Sequence, residues 1–167
     1  MEKIFDLPAH PLFVHTPLVL APLICLALIA ALARPAWRER VGRIPLWASI
    51  VLTVAMFMAK ESGEKFEGAL VASNGFDPKQ IDKHAELGDQ TFLLTLLLLV
   101  VVAAATALAW RASRTPVPAG SSAGSSTPPW LVPALSAVAT VVSVLVVIWT
   151  IRTGHEGAKV VWDGVLR

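Results

Sequence analysis

Charge is scarce in this 167-residue sequence: 16% of residues are Asp, Glu, Lys or Arg, 55% are apolar, and the mean hydropathy is +0.65. A soluble domain carries about 25% charged residues and seldom sustains an apolar run beyond a strand or short helix. The composition therefore excludes a water-soluble enzyme. Cysteine is nearly missing. Cys25 stands alone in an apolar run, so there is no internal disulfide and no information about redox compartment. A dominant sign of charge is missing too, and a net charge of +2, scattered along the chain, excludes nucleic-acid binding. The nucleophile elbow G-x-S-x-G, the zinc-protease H-E-x-x-H and a Walker glycine loop are all absent, and Gly154-His155-Glu156-Gly157 lacks the second histidine of a metalloprotease. No hydrolase or transferase chemistry follows. C-x-x-C-H is absent as well, which excludes covalently attached c-type haem.

What the sequence does have is four long apolar runs, at 12–33, 44–60, 91–110 and 130–151. About twenty residues at 1.5 Å each cover a hydrocarbon core of roughly 30 Å, and runs this long and uniform are helices rather than barrel strands. The first is interrupted only by His15, Thr16, Pro17 and Pro22; the second is short and needs its flanks to complete a crossing. Ala31-Leu32-Ala33 mimics a signal cleavage site. However, Glu2, Lys3 and Asp6 leave the leading segment without net positive charge and arginines follow the run, so a retained span is expected. The expected fold is an all-α integral membrane protein, one four-helix domain over residues 1–167.

Both termini then share a side. The opposite side carries Arg34, Arg38, Arg40 and Arg43 in one loop, Arg111 and Arg114 in the other, and Trp37, Trp47, Trp110 and Trp130 as an interfacial belt. The density of arginine near the span ends places the termini and the 60–90 segment outside a bacterial inner membrane. Residues 113–129, rich in Gly, Ser and Pro, read as a flexible inner linker. The 60–90 segment reads as ordered. Asp77-Pro78-Lys79-Gln80 has an N-cap acid, proline at the first helical position and glutamine at the third, so a helix from Pro78 to Trp110 would project above the lipid. Glu61, Glu64 and Glu67 form the solvated face of an extension of the second span, and Ser73-Asn74-Gly75 supplies the reversal.

On this topology all four histidines, His10, His15, His84 and His155, fall at the outer face. His15 lies a turn inside the first span, where an unpaired histidine is costly, and so is the most suggestive single residue. His10, just before it, has the plainest reading as a solvated residue. His84, Gly88, Thr91 and Thr95 share one helical face, and Ser136, Thr140, Ser143, Thr150 and Gly154 form a similar stripe that ends beside His155. Small residues let helices approach closely or leave room for a flat cofactor. Met56 and Met58 offer sulfur ligands, although two methionines in an apolar helix read first as core.

H-P-L-F-V-H-T-P at 10–17 and G-H-E-G-A-K-V-V-W-D-G-V at 154–165 give a resemblance to a family of bacterial predicted membrane proteins grouped under a domain of unknown function. Its members look like four-span proteins with H-P-x-x-V-H-x-P near the start, an S-G end to the second span, a histidine before the third and a closing G-H-x-G-[AG] element. Ser62-Gly63, His84 and Gly154-His155-Glu156-Gly157-Ala158 occupy those places, over nearly the whole chain. The tail Val160-Val161-Trp162 departs from the usual Leu-Val-Tyr. Some relatives are joined to c-type cytochrome modules, which implies an outer-facing redox role.

Three functions compete. The first is electron transfer through b-type haem held by His15, His84 and His155 on three helices, with His10 allowing a second haem. The second is a non-haem site of His15, His84, His155 and Glu64 around zinc, copper or iron. The third is a cofactor-free subunit whose polar stripes bind partner helices. The lipid bilayer is the expected partner in every case, a c-type cytochrome the expected redox partner in the first, and self-association is compatible with all three.

Overall fold

In the computed structural model, residues 3–4, 7–33, 43–72, 78–114 and 128–162 are described. Four helices carry the chain: α1 (Ala9–Ala33), α2 (Ile44–Ala72), α3 (Pro78–Arg114) and α4 (Leu131–Trp162). Ahead of α1, the two-residue strands β1 (Lys3–Ile4) and β2 (Leu7–Pro8) pair antiparallel, Lys3 opposite Pro8. Each helix packs chiefly on its chain neighbours, and α4 closes the ring against α1. So α1 lies diagonally across the bundle from α3, and α2 from α4.

All four helices are long and apolar enough to cross a membrane. Their lengths of 25, 29, 37 and 32 residues correspond to about 37, 43, 55 and 48 Å. A core of roughly 30 Å cannot contain any of the four upright, and α2, α3 and α4 extend furthest beyond it. Pro78 opens α3 as the sequence predicts, with φ already helical and no N–H to leave unpaired. Asp77 and the Ser73-Asn74-Gly75 reversal lie outside the described residues, as do 115–127 of the expected linker; Ser113 and Arg114 still belong to α3. The fourth helix runs well past the expected end at Ile151. Gly154 and Gly157 do not stop it, and the G-H-E-G element is helical throughout. Pro17 and Pro22 sit inside α1, tolerated as prolines are in membrane helices, where neighbouring groups satisfy the freed carbonyls.

The bundle is polar inside and apolar outside relative to a soluble one. Ser49, Thr53, Ser62, Thr91, Thr95, Ser136, Ser143 and Thr150 are buried, whereas Leu23, Leu26, Val51, Val54, Leu93, Val100 and Val141 are exposed. Lipid tails give no hydrophobic reason to bury leucine, so small hydroxylated residues occupy the faces where helices meet and bulky aliphatics face outward. The two stripes read from the sequence are therefore packing faces. The first stripe meets α4 at Thr153, a residue outside the second, where the Thr91 and Thr153 hydroxyls lie 2.9 Å apart. Between the stripes runs an aliphatic seam of Cys25, Leu28, Leu52, Leu98, Val102 and Val146. Met56 belongs to this seam, as the core reading of the methionines expects, whereas Met58 is exposed.

Candidate functional site

The parts of α2, α3 and α4 beyond the apolar runs form a cluster at the end where α1 begins. Lys60 on α2 bridges to Asp89 on α3 at 3.0 Å and also pairs with Glu64. Glu156 on α4 accepts from Lys83 on α3 and from Lys159, each at 3.0 Å. Its carboxyl is held below the ordinary range, first by the Lys159 hydrogen bond and then by Lys83. Trp149 donates its indole N–H to Gln90 Oε1 at 2.7 Å, a cross-helix bond that no motif along the chain signals.

Within this cluster two histidines meet. His10, on the first turn of α1, and His84, on α3, have ring centroids 6.2 Å apart and planes inclined at 70°. His10 Nδ1 is 3.1 Å from the Ala59 carbonyl oxygen and 3.2 Å from Ser62 Oγ. His84 Nδ1 is 3.0 Å from the Thr153 carbonyl oxygen. A carbonyl only accepts, so in each ring Nδ1 carries a proton, and in the neutral tautomer Nε2 keeps its lone pair. Both rings lie outside the apolar runs 12–33 and 91–110. Burial lowers both imidazoles below the ordinary range; His84 pushes His10 the same way, while the Ala59 and Thr153 carbonyls work against the shift. Each imidazole is thus anchored through Nδ1–H to a helix backbone, in surroundings that favour its neutral form. Metal-binding histidines are oriented by this kind of bond.

Two glycines make room for the rings. A Cβ built on Gly157 would stand 2.8 Å from His84 Cε1 and 3.1 Å from its Nδ1. One on Gly63 would stand 3.1 Å from His10 Cε1 and 3.3 Å from its Nδ1. Phe66 stacks on the other side of His10 at 6.0 Å. Ser62-Gly63 and Gly157 are thus the seats of the two histidines, whereas Gly154 packs against Leu18 of α1.

The other candidates go elsewhere. His15 is exposed, and its Nδ1–H is given to the Pro11 carbonyl of its own helix. Five residues after His10, it is turned about 140° around α1 and cannot share the inward face. His155 is exposed as well, since Thr153 and Gly157 hold the face toward His84 and the residue midway between them points away. The expected convergence of His15 and His155 on His84 is therefore replaced by His10 with His84. Glu64 is exposed in its pair with Lys60. Among the described residues no three His, Cys, Asp or Glu side chains come together as a metal cluster, so His15, His84, His155 and Glu64 do not form one.

At the opposite end, Arg43 and Arg114 lie 5.4 and 4.0 Å from the centre of the Trp110 ring, and Trp47 and Trp130 are exposed. Arginine and tryptophan together mark a membrane interface.

The family model described as predicted membrane protein (DUF2231) matches residues 6–167. No curated protein and no solved structure matches the chain.

Proposed function

The chain belongs to the DUF2231 family of predicted membrane proteins, and on that premise we propose that it is a membrane redox protein holding b-type haem between His10 and His84. One observation carries the reading: two imidazoles from diagonally opposed helices, each with Nδ1–H anchored and no hydrogen-bond partner for Nε2 among the described residues, at a centroid separation of 6.2 Å. With metal–nitrogen bonds of about 2 Å, imidazoles on opposite sides of one ion have centroids roughly 6 Å apart. A pair of histidines completes the axial positions of haem iron, whereas a closed zinc site takes four protein ligands and a catalytic one three.

Bound haem supplies one-electron chemistry. The protein's part is to fix both rings: the Ala59 and Thr153 carbonyls set the tautomer and raise the basicity of Nε2, and Gly63 and Gly157 let the rings approach the helices. The site lies on the helical extensions near the aqueous boundary, within reach of a redox partner such as a c-type cytochrome. The arginine-rich end, with Arg43, Arg111 and Arg114, belongs at the inner leaflet of a bacterial inner membrane, leaving the histidine end outside.

The test is an absorption spectrum of detergent-purified protein, expressed with haem supply, before and after dithionite reduction. A Soret band is expected in the wild type, in His15→Ala and in His155→Ala, and is lost from His10→Ala and His84→Ala. Tryptophan absorbance alone in the wild type overturns the reading, as does loss of the band in His15→Ala with retention in the other two.

A further inference from the structure

On the outward side of the α3–α4 seam, a groove of about 290 Å³ is lined by Lys83, Leu87, Ile151, Arg152, His155 and Glu156. It lies on the helices that hold the His84 ring, and although Glu156 acts electrostatically on His84, no groove residue is a ligand in the haem reading. We propose that this groove binds the headgroup of an anionic phospholipid, with the phosphate on Arg152 and Lys83.

Three features carry this. The first is charge. Among the lining residues two cations, Lys83 and Arg152, stand against one carboxylate, Glu156, which is itself shared between Lys83 and Lys159. His155 adds an N–H donor in either protonation state. The second is preorganisation. The Trp149 indole is pinned by its bond to Gln90, whose amide in turn donates to Glu86 at 3.0 Å, and the Arg152 guanidinium lies 4.9 Å from the centre of that fixed ring. An arginine held on an aromatic face loses less freedom when it takes a phosphate.

The third is depth. Ile151 ends the apolar run of α4, and Leu87 stands one turn before Thr91, where the apolar run of α3 begins. The groove thus has an apolar floor toward the bilayer and a charged rim toward water. A soluble anion has no use for Leu87 and Ile151; a phospholipid places its phosphate on the rim and its glycerol esters and first methylenes on the floor. A cation near an anionic headgroup surface strengthens binding about fivefold. Neutralising one groove cation is therefore expected to weaken binding about fivefold, and both about 25-fold.

The experiment measures binding of phosphatidylglycerol, with phosphatidylcholine as the zwitterionic control, to the purified protein in an uncharged detergent by native mass spectrometry. Wild type is expected to retain phosphatidylglycerol selectively. Arg152→Gln and Lys83→Gln, both at exposed positions, should each weaken that retention and the double variant should abolish the selectivity. Arg111→Gln/Arg114→Gln at the far end should leave it unchanged. Equal retention by wild type and the Arg152→Gln/Lys83→Gln variant overturns the proposal, as does loss only in the far-end variant. Glycerol 3-phosphate displacing the lipid stoichiometrically at equal concentration would identify a free-phosphate site and overturn it too. A photoactivatable phosphatidylglycerol on unmutated protein gives an independent reading: labelling at 87, 151 or 155 supports the groove, and labelling confined elsewhere refutes it. None of these readouts depends on haem.

Discussion

Replacing Gly157 by alanine separates two opposed effects that the structure places on one atom. In an open helical position, glycine to alanine gains about 0.5–1 kcal/mol, because alanine loses less backbone entropy on folding. Gly68, with nothing within 4 Å of its virtual Cβ, is such a position. At Gly157 the new methyl would stand 2.8 Å from His84 Cε1. The ring is not the free end of a flexible chain, since its Nδ1 is tied to the Thr153 carbonyl at 3.0 Å. Overpacking costs about 1–3 kcal/mol, and letting the ring swing away sacrifices a hydrogen bond of about 1 kcal/mol. Gly157→Ala is therefore expected to destabilise the bundle by about 1 kcal/mol net. In a His84→Ala background the obstacle is gone, and the same substitution should stabilise by about 0.5–1 kcal/mol, as Gly68→Ala does in the wild type. Unfolding titrations in mixed micelles across the four proteins of the cycle give a coupling of about 2 kcal/mol if the reasoning holds. A coupling near zero, or a Gly157→Ala that stabilises the wild type as much as Gly68→Ala, refutes the contact between Gly157 and His84.

The remaining expectations concern the interhelical bonds around that site. Thr91 and Thr153 each have an i−4 carbonyl within reach, at 2.7 and 2.8 Å, so only one hydroxyl proton bridges the helices at a time. Thr91→Val/Thr153→Val should cost about 0.6 kcal/mol of coupling, the average for such bonds in a membrane bundle, and a double-mutant cycle checks it. Glu156 is held below its ordinary value of 4.5 by Lys159 and Lys83, so its ion pairs add stability above that pH and lose it as the pH falls through the lowered value. Glu156→Gln should flatten the acid limb of stability against pH; an unchanged acid limb would mean that the lysines do not hold the carboxylate.

Much of the fold is legible along the chain because the signals are local. Run length and hydropathy fix the four spans, and proline at the first helical position fixes the start of α3. The scarcity of charge requires lipid outside the bundle, and with lipid outside, the hydroxyl stripes have to face inward. Even the outward turn of His155 follows from helical phase once Thr153 and Gly157 are known to face α3. The pairing of His10 with His84 is a different kind of fact. Those residues lie on different helices, and their meeting depends on how each helix is rotated and how far it slides against its neighbours. That rotation and slide are set by the packing of Ser49, Thr53, Thr91, Thr95, Ser136 and Ser143 at the contact faces, whose pattern in the sequence is the same for many registers. Only the assembled bundle therefore shows that Ser62-Gly63 seats one imidazole and Gly157 the other. It also shows that the histidine inside the span, the costliest when read alone, satisfies itself on its own helix.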